Sequence, residues 1–427
     1  MNAPETPRDA RIVLGVGVLL GVVGLVATVL RHPKMVGMDF QVYYFAGEAL
    51  VAGRDFYAAS PPAHPTYGYV YPPVTLPVFV PFVVLGSWQA GFAVFTLLNV
   101  AVALGAAGLL VRWVEEYRER PLPWLDRGLV AGFTLVSLHS ASTLLYGETN
   151  FLLLLALVAG FRWLESNRES AAGVAFALPA VVKLFPAVVG LWLLRQRAWR
   201  AIGTATLTGI GLFTLGVVGF GVEAHLTFLE VAVAPRLSSS EFAGGLPAEA
   251  ALLTLRRPIS VLLPGLDASL YGPLAFLLLA PVVWYCYRRI SEPSSASEPS
   301  PESESNPASE PISRLVAIFA TMAVMVVGFP SLLLYFVYLL VPMIPLLYLL
   351  ERGPARKLFV AGAFVANFAV TLANVRRALV GTPGAGLVGV LEPVLTLATP
   401  PLYGTLAMLG ACVWYLRRRG PTPAVPS

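Results

Sequence analysis

Five polar stretches interrupt a chain built mostly of apolar runs, and each carries residue types that can do chemistry. Asp39 lies in Gly37-Met38-Asp39-Phe40-Gln41-Val42-Tyr43-Tyr44-Phe45-Ala46-Gly47, just after the first apolar run. A carboxylate placed there can take a proton from a hydroxyl. It can equally cap a surface helix lined by Phe40, Tyr44, Leu50 and Val51, a role that contributes about 1 kcal/mol. Gly147-Glu148-Thr149-Asn150 joins two apolar stretches, so Glu148 and Asn150 are either turn residues or ligand contacts. Lys183, one of three lysines, breaks an apolar run and precedes Leu184-Phe185-Pro186. Its ammonium can snorkel to an interface or hold an anion such as a lipid phosphate. Arg256 and Arg257, before Pro258, can cap a helix or meet a phosphate. Tyr67, Tyr69 and Tyr71 suit an aromatic belt at a membrane surface or a stacking face for a sugar ring.

These residues must be positioned by membrane helices. The 427 residues are 57% hydrophobic and 12% charged, with a mean hydropathy of +0.73, too little charge to cover a soluble surface. Apolar runs extend from end to end, so the expected fold is an all-α polytopic membrane protein with about 12 spans of roughly 20 residues each. The net charge of +5 comes from basic residues scattered between the runs, and this argues against nucleic acid. Cys286 and Cys412 lie in apolar segments and read as small buried hydrophobes. His32, His64, His139 and His225 lack the spacing of a metal site.

The first span is read at 12–30. Residues 74–111 are read as a single span whose entering segment is broken by Pro77 and Pro81. Further spans are placed near 128–145, 150–164, 171–182, 184–194, 201–221, 270–287, 315–332, 334–350, 358–375 and 399–416. With both termini in the cytoplasm, 20 of the 29 basic residues fall on the cytoplasmic side, as the positive-inside rule requires. Asp39, Tyr71, Glu148 and Lys183 then share the extracytoplasmic face. Ionisable residues at membrane depth are costly, which makes each a functional candidate. The chain divides into a membrane part over 1–290 with a catalytic first loop at 32–73, a Ser/Pro/Glu-rich stretch over 291–313, and C-terminal helices over 314–427. The middle stretch is too polar to bury a core and is expected to be a disordered cytoplasmic linker.

Asp39 after the first span, Tyr43-Tyr44-x-Ala46-Gly47, the Gly53 to Tyr57 spacing and Tyr71-Pro72-Pro73 together resemble a known family. It is that of the polyprenyl-phosphate-mannose-dependent α-mannosyltransferases, which have the GT-C fold. Gly147-Glu148-Thr149-Asn150 resembles that family's Gly-Gln-x-Asn. Ala172-Gly173 followed by Lys183-x-x-Pro186 resembles its Ala-Gly…Lys-x-x-Pro element. The likeness covers about residues 10–200. Two features depart from it: Glu148 stands where the family has Gln, and no His follows Phe329-Pro330-Ser331, where Tyr335 is the nearest substitute.

The resemblance implies a GT-C-like enzyme with a large first extracytoplasmic loop bearing interfacial helices. It would transfer a hexose, by expectation mannose, from a polyprenyl- or dolichyl-phosphate sugar to a lipid-linked or glycan acceptor, with inversion. Asp39 would be the general base, and Lys183, Arg256 and Arg257 would face the donor phosphate. Tyr43, Tyr44, Tyr71, Glu148, Asn150 and Tyr335 would contact substrate. The scheme calls for no cofactor and no metal, and its partners are the two substrates and membrane lipids. A transporter or lipid flippase is the competing reading, since short, proline-broken spans and an intramembrane lysine also suit a translocation path. A non-catalytic scaffold leaves the polar, tyrosine-rich first loop without a purpose.

Overall fold

A computed structural model describes residues 7–290, 310–379 and 381–418, and within them the chain is nearly all helix. The first part contains α1 (Arg8–Arg31), α2 (Met38–Val51), α3 (Val80–Val83), α4 (Trp88–Arg118), α5 (Trp124–Val136) and α6 (Leu138–Tyr146). Next come α7 (Asn150–Glu165), α8 (Glu169–Lys183), α9 (Val189–Arg195), α10 (Trp199–Phe228), α11 (Ala234–Ser238), α12 (Arg256–Leu262) and α13 (Tyr271–Arg288). The remainder is α14 (Glu310–Val327), α15 (Leu340–Leu349), α16 (Pro354–Ala366), α17 (Leu372–Leu379), α18 (Gly386–Leu397) and α19 (Pro400–Arg418). Hydrocarbon offers no partner to a free N–H or C=O, so long apolar runs close their hydrogen bonds internally as helices.

Among the described residues, five helical segments are long and apolar enough to cross a membrane, or seven if the bent pairs α5–α6 (50°) and α18–α19 (57°) each count once. Shorter apolar segments over 73–83, 185–195 and 333–349 accompany them. Residues 74–111 hold a short entering segment and one long helix, but the break between them falls at 84–87, not at Pro77 or Pro81. A 3-10 turn over Pro73–Phe79 and the brief α3 precede the unbroken α4, whose Ser87 cap accepts from the Ala90 N–H. Of the stretch 291–313, residues 291–309 lie outside the described residues, and Glu310–Ser313 form the first turn of α14.

The arginine clusters gather at one end of the bundle. Arg11 pairs with buried Asp126 at 2.7 Å, Arg356 with Asp9 at 2.7 Å, and Arg162 with Glu116. Arg195 donates to the carbonyls of Tyr287 and Ile290. Exposed Trp124, Trp163, Trp199, Trp284 and Trp414 stand at the same helix ends. Amphipathic indoles and basic side chains together mark a membrane–water boundary. α14, buried along nearly its whole length, fills the centre against α13, α15 and α19. Small residues let backbones approach: a Cβ at Gly362 of α16 would lie 2.6 Å from the Gly404 carbonyl of α19, as expected of packing inside a bilayer. At the opposite end, β1 (Leu252–Leu253) pairs antiparallel with β2 (Ser331–Leu332), which fixes the start of the 3-10 turn Leu333–Leu339.

Candidate active site

α2 begins at Gly37, not at Asp39. Gly37 takes the N-cap position with φ 69°, no side chain caps the helix, and Asp39 is its second residue. This corrects the capping reading, and the physical reason is steric: only a residue tolerant of positive φ can make the entry turn. The Gly37 N–H donates to the Leu145 carbonyl at 2.7 Å, which ties the Asp39 turn to the last turn of α6. α6 ends at Gly147, also left-handed with φ 74°, and the chain turns through Glu148 into α7. A Cβ at Gly147 would lie 2.6 Å from the Phe40 Cβ. Glycine therefore sets how closely α2 approaches this turn. Gly147→Ala should strain the turn and push α2 away, costing about 1–3 kcal/mol. A lowered melting temperature together with reduced transfer would bear this out, and a variant matching the parent in both would refute it.

Glu148 is the hub. Its Oε2 accepts from Lys183 Nζ at 3.1 Å, Tyr43 OH at 3.2 Å, Tyr71 OH at 3.4 Å and its neighbour's Thr149 N–H at 3.2 Å. Its backbone carbonyl accepts from Asn99 Nδ2 at 3.3 Å. Lys183 Nζ also donates to Asn150 Oδ1 at 2.9 Å and Tyr335 OH at 3.2 Å, and lies 4.3 Å from the Tyr335 ring centroid. An ammonium has three N–H donors, so all three are engaged. Asn150 Oδ1 takes a further bond from Tyr338 OH at 2.7 Å. The Lys183 and Glu148 side chains are 4% and 6% exposed. α8 stops at Lys183 because Leu184 adopts φ 57° and Pro186 follows. Positive φ at leucine is a strained conformation of the kind that clusters at functional sites.

Asp39 accepts no hydrogen bond among the described residues, yet it feels the charges of Glu148 and Lys183. Burial, then the Glu148 carboxylate, push its carboxyl well above the usual range, while Lys183 pulls the other way. Burial and Glu148 likewise raise the Tyr43 and Tyr71 hydroxyls, which remain protonated donors. The Gly53 to Tyr57 spacing has a structural outcome, since Tyr57 OH donates to the Tyr71 carbonyl at 2.8 Å.

The fold thus gathers Asp39, Tyr43, Tyr71, Glu148, Asn150, Lys183 and Tyr335. Tyr44 is left out: it is buried, with its ring against Phe40 and Phe45. Arg256 and Arg257 are also elsewhere. Arg257 donates to the carbonyls of Thr396, Ala250, Pro247 and Ala248, and Arg256 to Ser239 Oγ at 2.6 Å. No hydrogen bond, ion pair or ring contact joins either arginine to Lys183 among the described residues. Asn99 and Tyr338 were overlooked in the sequence. Asn99 could have been found as an amide inside an apolar helix, and Tyr338 as the residue three beyond Tyr335, eclipsed with it on a 3-10 turn.

Beside this cluster runs an apolar groove of about 700 Å³ between α8, α9 and α10. Pro72 and Leu184, the neighbours of Tyr71 and Lys183, form part of its wall, and Leu229 and Val233 line it beyond α10. His225 also faces it. Its Nδ1 donates to the Gly221 carbonyl at 2.9 Å, where α10 breaks, and its Nε2 has no partner among the described residues.

A helical, polytopic membrane protein with a buried polar site beside an apolar groove is the class that this architecture defines. Residues 69–298 match the family model of glycosyltransferase family 87, and the chain belongs to that family of membrane glycosyltransferases. It is similar to a polyprenol-phosphate-mannose-dependent alpha-(1-2)-phosphatidylinositol pentamannoside mannosyltransferase of Mycolicibacterium smegmatis, with 28% identity over 244 residues. The match covers 54% of this chain and 56% of that relative, so it spans only about half the length of the curated relative. No solved structure matches. The mannosyltransferase-like resemblance is borne out, and so is the coarse, nearly all-α architecture.

Proposed function

We propose that the protein transfers mannose from a polyprenyl-phosphate donor to a hydroxyl of a lipid-linked or glycan acceptor on the extracytoplasmic face, with inversion. One observation carries this reading: Pro72 and Leu184, the chain neighbours of Tyr71 and Lys183, line the apolar groove, so a prenyl chain lying in it brings its sugar towards the polar cluster. The relative's polyprenol-phosphate-mannose dependence and alpha-(1-2) linkage support the choice of donor and sugar.

In the proposed reaction Asp39 takes the acceptor's hydroxyl proton as that oxygen bonds to the anomeric carbon. The bond from that carbon to the phosphate oxygen breaks, and polyprenyl phosphate leaves as an anion. A phosphate leaves without being protonated, so the site has more need of fixed charge than of an acid. Glu148 Oε1, which takes none of the four bonds received by Oε2, is the oxygen left to accept from sugar hydroxyls. Lys183 fixes Glu148, Asn150 and Tyr335 in one arrangement. Such preorganisation places reacting groups before chemistry begins.

Purified protein incubated with labelled polyprenyl-phosphate mannose and a lipid or glycan acceptor should give a labelled product of opposite anomeric configuration. Retained configuration would remove the inverting mechanism. No transfer from any polyprenyl-phosphate sugar, combined with movement of intact lipid between the leaflets of proteoliposomes, would favour the flippase reading.

A further inference from the structure

We propose that Arg236, three residues beyond Val233 of the groove wall, receives the phosphate of the polyprenyl donor. The inference rests on the donor class proposed above and concerns a residue that neither the motifs nor the resemblance single out.

All three ammonium donors of Lys183 are taken by Glu148, Asn150 and Tyr335. Asp39, Glu148 and Lys183 together carry a formal charge of −1 when ionised, which does not attract a phosphodiester. Arg257 is committed to four backbone carbonyls, and Arg256, only 6% exposed, donates to Ser239 with its Nε left without a partner among the described residues. The donor's negative charge therefore needs another partner.

Arg236 meets the requirement in three ways. The groove wall continues through Leu229 and Val233, in the π-helical turn Leu229–Val233, and Arg236 follows three residues after Val233 on α11. It is exposed and, among the described residues, donates one hydrogen bond, from Nη1 to the Ala232 carbonyl. A guanidinium has five N–H donors, so a fork remains for two phosphate oxygens, the geometry in which arginine excels. Its charge is also the weakest of the several contributions to the field at Tyr335, the residue that bonds Lys183. Glu241 lies within the same field and forms no ion pair with Arg236 among the described residues. A prenyl tail in the groove would thus have its phosphate at a cation beyond the groove end and its sugar towards Tyr335 and Glu148.

The test measures binding of polyprenyl monophosphate, polyprenol and inorganic phosphate to the full-length protein in detergent. The parent should bind polyprenyl phosphate at least about tenfold more tightly than polyprenol, and Arg236→Ala should erase most of that difference, because a hydrogen bond to a charged group contributes more than a neutral one. Arg236→Lys should recover part of it, since the charge remains without the fork. Inorganic phosphate binding alone with the same arginine dependence would assign the site to free phosphate and overturn the lipid inference. Unchanged polyprenyl phosphate affinity in Arg236→Ala would overturn it as well. In the transfer assay, Arg236→Ala should raise the donor KM by more than it lowers kcat. Absence of transfer in the parent itself would instead count against the proposed function, and the binding result would stand separately.

Discussion

Asp39→Asn should lower sugar transfer by about 100- to 10,000-fold, the range expected when a positioned general base is lost. The substitution keeps the size of the side chain and removes only its basicity. Its effect on stability has a definite sign. The Asp39 carboxyl is raised in the folded protein by burial and by Glu148, so the native state binds this proton more readily than the unfolded chain does. Stability from this group is therefore greatest at low pH, and it is lost as pH rises from the ordinary carboxylate range through the raised value. Asparagine carries no such penalty. At neutral pH the variant should melt at or above the parent temperature while being inactive. The acid limb of the parent's rate profile should lie above the usual carboxylate range, because the ionised form is the active base. Glu148→Gln should move that limb towards lower pH, since it removes a negative neighbour and leaves Lys183. Substantial activity in Asp39→Asn would take Asp39 out of the base role. An unmoved limb in Glu148→Gln would deny the electrostatic coupling.

Much of this was legible in the sequence because the membrane simplifies the rules. A run such as 88–118 has few alternatives to a helix in hydrocarbon, while the break before it falls at 84–87, past the prolines at 77 and 81 that the sequence offered as its marks. Asp39, Glu148, Asn150 and Lys183 stood out because polar groups are rare in such runs, and the fold does bring them together. What stayed hidden depended on tertiary contacts. Arg256 and Arg257 look like free cations in sequence. Arg257 is instead spent on carbonyls of residues 247–250 and on Thr396, over a hundred positions away, and no local pattern reports that. Gly37 displaced Asp39 from the cap because its backbone had to turn through positive φ, a demand set by the approach of α2 to α6. Arg236 carried no motif, and its interest comes only from the groove wall three residues before it.

Lys183→Ala should be the most destabilising single change in the site. Lysine and glutamate side chains only 4% and 6% exposed are held at 3.1 Å, and removing the lysine leaves the Glu148 carboxylate buried without a counter-ion. Breaking one side of such a pair costs about 3–5 kcal/mol. A lysine that merely snorkelled to the interface would give a variant close to the parent in stability. Glu148→Gln should be far milder, because an amide oxygen still accepts from Lys183 and the ammonium keeps its bonds to Asn150 and Tyr335. The family pattern that this turn resembles carries Gln at that position, which points the same way. Lys183→Met combined with Glu148→Gln removes both charges and should recover most of the stability lost in Lys183→Ala. It should not recover transfer, since Asn150, Tyr335 and residue 148 would no longer share an anchor. Thermal melting of the three variants beside the labelled-donor assay separates the two roles. If Lys183→Ala melted with the parent, the buried pair would not be holding the site. If the double variant regained both stability and activity, Lys183 would serve only to neutralise Glu148.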